Sequence, residues 1–180
     1  GTSGIIIGHG TDTIAITAAA LSFMLENVPV PVILVGSQRS SDRGSTDAAM
    51  NLFCAAQFII HSGYQGVGIC MHEQSSDTAC LIMPPTKTRK MHTSRRDAFK
   101  VINGKPLARI DYKTGRIEWI NKPVTSGRKM LLRAKFEEKV AIIKTHVNMS
   151  PLFFEALLAH KFKGLVLEAT GIGQAPTNIE

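Results

Sequence analysis

Short, wholly apolar runs alternate with longer stretches in which apolar residues recur at helical spacing. Ile5-Ile6-Ile7 ends at Gly8 and predicts a buried strand. Asp12-Thr13 then predicts a helix start, and Ala15, Ala18, Ala19, Leu21, Phe23, Met24 and Leu25 carry that helix to about Asn27, where Pro29 and Pro31 stop it. Val32-Ile33-Leu34-Val35 predicts a second buried strand, and Gly36 to Arg43 a polar loop. Ser45 or Thr46 opens the next helix, with Asp47 strengthening its first turn and an apolar stripe through Ala48, Ala49, Leu52, Ala55, Ala56 and Ile59. Beyond it, Gly66 to Met71 and Ala79 to Met83 read as strands. Ala108 to Asp111 and Arg116 to Trp119 read as a hairpin closed by Tyr112-Lys113-Thr114-Gly115.

The pattern then lapses. Asn121 to Lys135 is polar and basic, with Pro123 and Gly127, and reads as an interdomain linker. After it come a strand (Val140 to Ile143), a helix (Pro151 to about Lys161) and a strand (Leu165 to Leu167), the opening of a second βαβ unit. The spans are residues 1–120 for a first domain, 121–137 for the linker and 138–180 for the start of a smaller α/β domain. The fold class is α/β: a mixed β-sheet with flanking helices, followed by the beginning of a parallel unit.

Composition narrows the classes. Hydrophobic residues make up 44% and charged residues 19%, values of a globular chain. No apolar run approaches the roughly 18 residues that would cross a bilayer, so no membrane is expected. The opening Gly1-Thr2-Ser3-Gly4 lacks the charged-then-apolar pattern of a signal peptide. Cys54, Cys70 and Cys80 are odd in number and lack CxxC spacing, which predicts buried, reduced thiols, no zinc site and a cytoplasmic protein. The net charge is +7, and much of the excess lies in two groups, Lys87, Arg89, Lys90, Arg95, Arg96 and Lys100, then Lys129, Arg133, Lys135 and Lys139. Phosphate contact is open to such groups, as is a plain solvated surface. Aromatic residues are only 6% and are not interleaved with the basic groups, which argues against base stacking.

Three segments carry candidate chemistry. His9-Gly10-Thr11-Asp12-Thr13 stands where a strand ends and a helix begins, the place where α/β sheets bind ligands. Gly10 would permit close backbone approach, Thr11 could face a reacting carbonyl, and Asp12 could pair with an ammonium group. The alternative is a local N-cap with no further role. In the run from Arg89 to Arg96, a lysine could activate a hydroxyl, and Lys90, Lys87 and Lys100 are equal candidates on chemistry alone. His92 could act as a base or make a structural hydrogen bond. In Gly36 to Arg43, the backbone near Ser37 could line the same pocket, with Arg39, Asp42 and Arg43 locking the loop by ion pairs. Gly171 and Gly173 could begin another ligand loop, although Gly-x-Gly alone says little.

These segments together resemble the asparaginase family. The residues are His9 to Thr13 with Leu21-Ser22-Phe23, then Pro31-Val32 and Leu34 to Arg43, then Thr170-Gly171-Ile172-Gly173. Lys90-Met91-His92-Thr93-Ser94-Arg95-Arg96-Asp97-Ala98-Phe99 and Ala108 to Tyr112 resemble, more narrowly, the branch formed by the D subunits of archaeal glutamyl-tRNA(Gln) amidotransferases. The resemblance implies a larger mixed-sheet domain followed by a smaller parallel one, and hydrolysis of glutamine or asparagine through threonine hydroxyls. It matches Thr11, Asp12 and Lys90 to catalytic residues, and Gly10, Thr11, Asp12 and Ser37 to substrate-binding ones. Lys90 is singled out by its match with Phe99-Lys100 and Asn103. It implies no metal or organic cofactor on this chain, with ATP and Mg²⁺ used at a partner, the E subunit of the amidotransferase. It also implies a homodimer, and tRNA reached through the complex.

The family carries a further threonine in a Gly-Gly-Thr-Ile segment, a lid tyrosine and an Asp-Ser region, all ahead of the His-Gly-Thr-Asp motif. Thr2, nine residues before Thr11, leaves no room for them and is rejected as the nucleophile. The expectation is a piece of such an enzyme, inactive by itself because catalysis needs the whole constellation. A free-standing asparaginase and a non-catalytic asparaginase-like binding module are the competing readings.

Overall fold

A computed structural model describes residues 1–177, so residues 178–180, the end of the third span, lie outside the described residues. The elements in chain order are β1 (Ile5–Gly8), α1 (Ile14–Met24), β2 (Leu25–Glu26), β3 (Pro31–Val35), α2 (Ala48–His61), β4 (Gly66–His72), β5 (Ala79–Met83), β6 (Thr88–Lys90), β7 (Phe99–Val101), β8 (Ala108–Asp111), β9 (Ile117–Trp119), β10 (Leu131–Leu132), β11 (Val140–Lys144), α3 (Leu152–Ala159) and β12 (Gly164–Glu168). They divide into two compact units, Gly1–Ala134 and the chain from Lys135 onward.

The first unit is built on a six-stranded sheet of order β1-β3-β4-β5-β8-β9. β1, β3 and β4 run parallel, and the remaining neighbours pair antiparallel. β3 is buried along its whole length, which explains its unbroken apolar run. Alternate side chains serve opposite faces. Ile33 and Val35 join Met50, Cys54, Ala55 and Phe58 of α2 in one core. Val32 and Leu34 join Ile14 and Ala18 of α1, with Val67, Ile69 and Met71, in the other. The two helices therefore cover opposite faces. Yet the connections β1–α1–β3 and β3–α2–β4 advance the same way across the sheet, so they have opposite hands. One of them is the rare left-handed crossover.

Several expectations shift. α1 stops at Met24 rather than near Asn27, because Leu25–Glu26 leaves to pair with β10 and Asn27 takes φ 55° ahead of Pro29. β10 lies in the stretch read as linker, and Arg133 reinforces it through Glu26 at 2.7 Å. The segment around Lys90, to which the pattern assigns no element, contains the β6–β7 hairpin, with Lys90 opposite Phe99. Buried Ala98 and Phe99 pin that hairpin to the α1 side of the core. In the second unit, β11 and β12 pair in parallel with α3 between them, a single βαβ turn. No helix among the described residues is long and apolar enough to cross a membrane.

Candidate active site

The site grows from the carboxyl ends of β1 and β3. After Gly8 the chain turns through His9, whose amide donates to the Val35 carbonyl (2.9 Å) and ties the turn to the neighbouring strand. His9 Nδ1 faces the Gly10 carbonyl (2.7 Å), which needs a proton there, so Nε2 accepts from Thr17 Oγ1 (2.9 Å). This fastens the turn to the first coil of α1. A Cβ at Gly10 would meet nothing within 4 Å, so the surrounding chain does not require glycine there. The close approach is at Gly36, where a Cβ would fall 2.9 Å from Thr11 Cγ2 and 3.0 Å from the His9 carbonyl. Gly36 is what lets the two loops touch.

At the start of α1 the N-cap position is Thr13, which makes no side-chain capping bond. The local-cap alternative for Thr11 and Asp12 thus falls away. Both instead meet a residue nearly eighty positions distant. Lys90 Nζ donates to Thr11 Oγ1 at 2.9 Å and to Asp12 Oδ1 at 2.6 Å. The lysine side chain is 14% exposed and the aspartate 89%, so a mostly enclosed ammonium bridges a hydroxyl to an open carboxylate. The other lysine candidates are elsewhere: Lys87 is exposed, and Lys100 reaches toward Asp97 at 3.7 Å. His92 is not placed as a base. Its Nδ1 accepts from the amides of Ser94 and Arg95 (3.1 and 3.2 Å) and closes the hairpin loop. Thr2 is exposed, ahead of β1.

Ser37 lies directly after Gly36. Its hydroxyl is turned into its own loop, toward the Arg39 carbonyl and Asp47 Oδ1 (3.0 Å). Among the described residues the ion pairs expected of Arg39, Asp42 and Arg43 do not form. The lock is Asp47, fully buried at the N-cap position of α2, whose carboxylate accepts from the amides of Gln38 (3.0 Å) and Arg39 (2.9 Å). Burial alone would raise its pKa, but these amides and the Ser37 hydroxyl bind the charged form and hold the carboxyl below its ordinary value. Gln38 Nε2 crosses to the hairpin loop and donates to the Arg95 carbonyl (2.8 Å). The pattern of residues did not single out Asn51 or His72, nor the inward role of Asp47. The available signals were an asparagine one turn after Asp47 inside an apolar helix and a histidine ending the apolar strand β4.

The cysteines are free and buried. A hydrogen bond with Cys80 and then burial drive the Cys54 thiol far up, so it is no nucleophile. Among the described residues no group of three or more His, Cys, Asp or Glu side chains could hold a metal ion. The glycines at 171 and 173 sit in a tight turn closed by the Thr170–Gln174 bridge.

The asparaginase N-terminal family model matches residues 1–125. The D subunit of glutamyl-tRNA(Gln) amidotransferase from Pyrococcus furiosus is 48% identical over 99% of this chain and 41% of its own length. The protein of that name from Archaeoglobus fulgidus is 47% identical over 97% of this chain and 42% of its own. This chain thus spans about two fifths of the length of these relatives. Among solved structures, the thermostable L-asparaginase from Thermococcus kodakarensis superposes with a TM-score of 0.87 at 32% identity, covering 98% of this chain and 51% of that one. A probable cytoplasmic L-asparaginase from Campylobacter jejuni gives 0.78 at 26%, over 99% of this chain and 57% of that one.

Proposed function

Because the chain belongs to the asparaginase family, we propose that Thr11, Asp12 and Lys90 are catalytic residues of an amidohydrolase site that releases ammonia from glutamine or asparagine. The observation that supports this most is the pair of bonds from Lys90 Nζ to Thr11 Oγ1 and Asp12 Oδ1. A cation 2.9 Å from a hydroxyl oxygen stabilises negative charge as it develops there and so eases proton loss. Asp12 holds that cation, and its exposed carboxylate has acceptor capacity left for the α-ammonium of the substrate. In the proposed reaction a threonine hydroxyl attacks the side-chain carbonyl carbon and the C–N bond breaks; Lys90 hands one of its protons to the leaving nitrogen, which departs as ammonia, and recovers a proton from the attacking hydroxyl by way of Thr11. Water then cleaves the ester to the free acid. In this reading the backbone amides near Gly10 and Ser37 face the substrate amide.

The ammonia is proposed to serve conversion of Glu-tRNA(Gln) to Gln-tRNA(Gln) by a second protein, the amidotransferase E subunit, in a cytoplasmic complex. The identity to the amidotransferase D subunits supports this. That partner would use ATP and Mg²⁺ and meet the tRNA, while this chain needs no cofactor and its protein forms a homodimer. The likeness to L-asparaginase structures supports a second reading, a free-standing asparaginase.

The test is ammonia release by the whole protein. Lys90→Met and Thr11→Val should each lower kcat at least about a hundredfold, the scale of a lost proton-handling group. Activity within a few-fold of wild type in either variant would refute the assignment. Glutamine-dependent amidation of Glu-tRNA(Gln) with the E subunit added separates the two readings.

A further inference from the structure

A continuous polar chain runs from one arm of the site to the other through the interior. Asp47, Asn51 and His72 are each fully buried among thiols and hydrocarbon. Such burial is unfavourable unless donors and acceptors are met, and here they are met in sequence. Asp47 Oδ1 accepts from Arg39 N (2.9 Å) and Ser37 Oγ (3.0 Å), and Oδ2 from Gln38 N (3.0 Å) and Asn51 Nδ2 (2.9 Å). Asn51 Nδ2 also donates to the Gly36 carbonyl (3.0 Å), which leaves Asn51 Oδ1 to accept from His72 Nδ1 at 2.6 Å. The other ring nitrogen, Nε2, faces Asp77 Oδ1 at 3.1 Å. Asp77 Oδ1 is shared with Arg96 Nη1 at 2.6 Å. Arg96 belongs to the loop between β6 and β7, and its Nη2 holds the Ser45 carbonyl (2.7 Å). Gln38, bonded to the Arg95 carbonyl, closes the circuit.

We infer that the chain Arg96–Asp77–His72–Asn51–Asp47 is a positioning device that fixes the backbone of Ser37 to Arg39 relative to the Lys90 hairpin. Its members touch no reacting atom. They act by holding the Ser37 segment, which in the proposed function borders the substrate amide, and the inference rests on that reading. Hydrocarbon would fill the same core without direction. Five polar groups bonded in file set one register between two loops that share no strand pairing. The expected consequence is on substrate binding rather than on the Thr11–Lys90 chemistry.

The variants are Asp77→Ala, which removes the acceptor facing both His72 and Arg96, and Asp77→Asn, which restores an oxygen there. Asp77 is 59% exposed, so neither opens a core cavity. In the whole protein, Asp77→Ala should raise KM for glutamine about tenfold with kcat within about threefold of wild type, and Asp77→Asn should recover most of the loss. Hydrogen exchange should speed up in the backbone over residues 36–47, whereas the polar partners of Asp77 among the described residues are His72 and Arg96. A fall in kcat at constant KM, or unchanged KM and exchange, would overturn the inference. Retained activity in Lys90→Met, or an inactive wild type, would instead overturn the functional reading, and the exchange measurement would then decide the positioning device alone.

Discussion

At Asp47 the direction of one carboxylate decides the shape of a loop. Its position predicts an ordinary aid to the first turn of α2, but the side chain makes no capping bond there and ties down residues 37 to 39. Because these bonds favour the charged form, its pKa lies below the ordinary value. The carboxylate therefore adds stability above the unfolded-state pKa of about 3.9, and that share is lost as the pH falls through the lowered folded value. Asp47→Asn should be less stable than wild type at pH 7, and the gap should shrink toward pH 3, read as urea midpoints at the two pH values. Parallel midpoints would show that the charge is irrelevant. At the same scale, the triad itself was not legible from spacing. Nothing in the local pattern separates Lys90 from Lys87 or Lys100, and the contact with Thr11 is made across seventy-nine positions. Only the likeness of the flanking residues to a family picked it out.

Among the elements, those that cover the core announce themselves. Val32 to Val35 reads as a strand because both faces are buried and every position is apolar. The β6–β7 hairpin does not, because Thr-Arg-Lys and Phe-Lys-Val are three-residue strands whose only deep anchor is Phe99. That anchor also places the ammonium of Lys90, its register partner. Phe99→Ala should cost about 3–5 kcal/mol, as for large-to-small changes in other cores. If the hairpin is held as described, ammonia release should fall further than the stability loss explains at a temperature where the variant remains folded. A folded variant of normal kcat would show that the hairpin is held by other contacts.

At the level of the whole molecule, Thr11, Asp12, Lys90 and Ser37 all fall within Gly1–Ala134, so the second unit is not needed to bring them together. Within residues 121–130 the chain is exposed and has no regular structure, whereas Arg133 is paired with Glu26. Brief trypsin treatment should cut first after Arg128 or Lys129, as mass spectrometry of the early products would reveal. First cuts after Lys90, Arg95 or Arg96 would place the least protected backbone in the hairpin instead. The opposite hands of the two crossovers have a further consequence. In doubly wound sheets a crevice opens where strand order reverses, because adjacent loops then leave toward opposite faces. Here the order from β1 through β3 to β4 never reverses, yet the chain leaves β1 for one face and β3 for the other. A change of winding sense thus sends the helices that follow two neighbouring parallel strands to opposite faces, as a change of direction usually does.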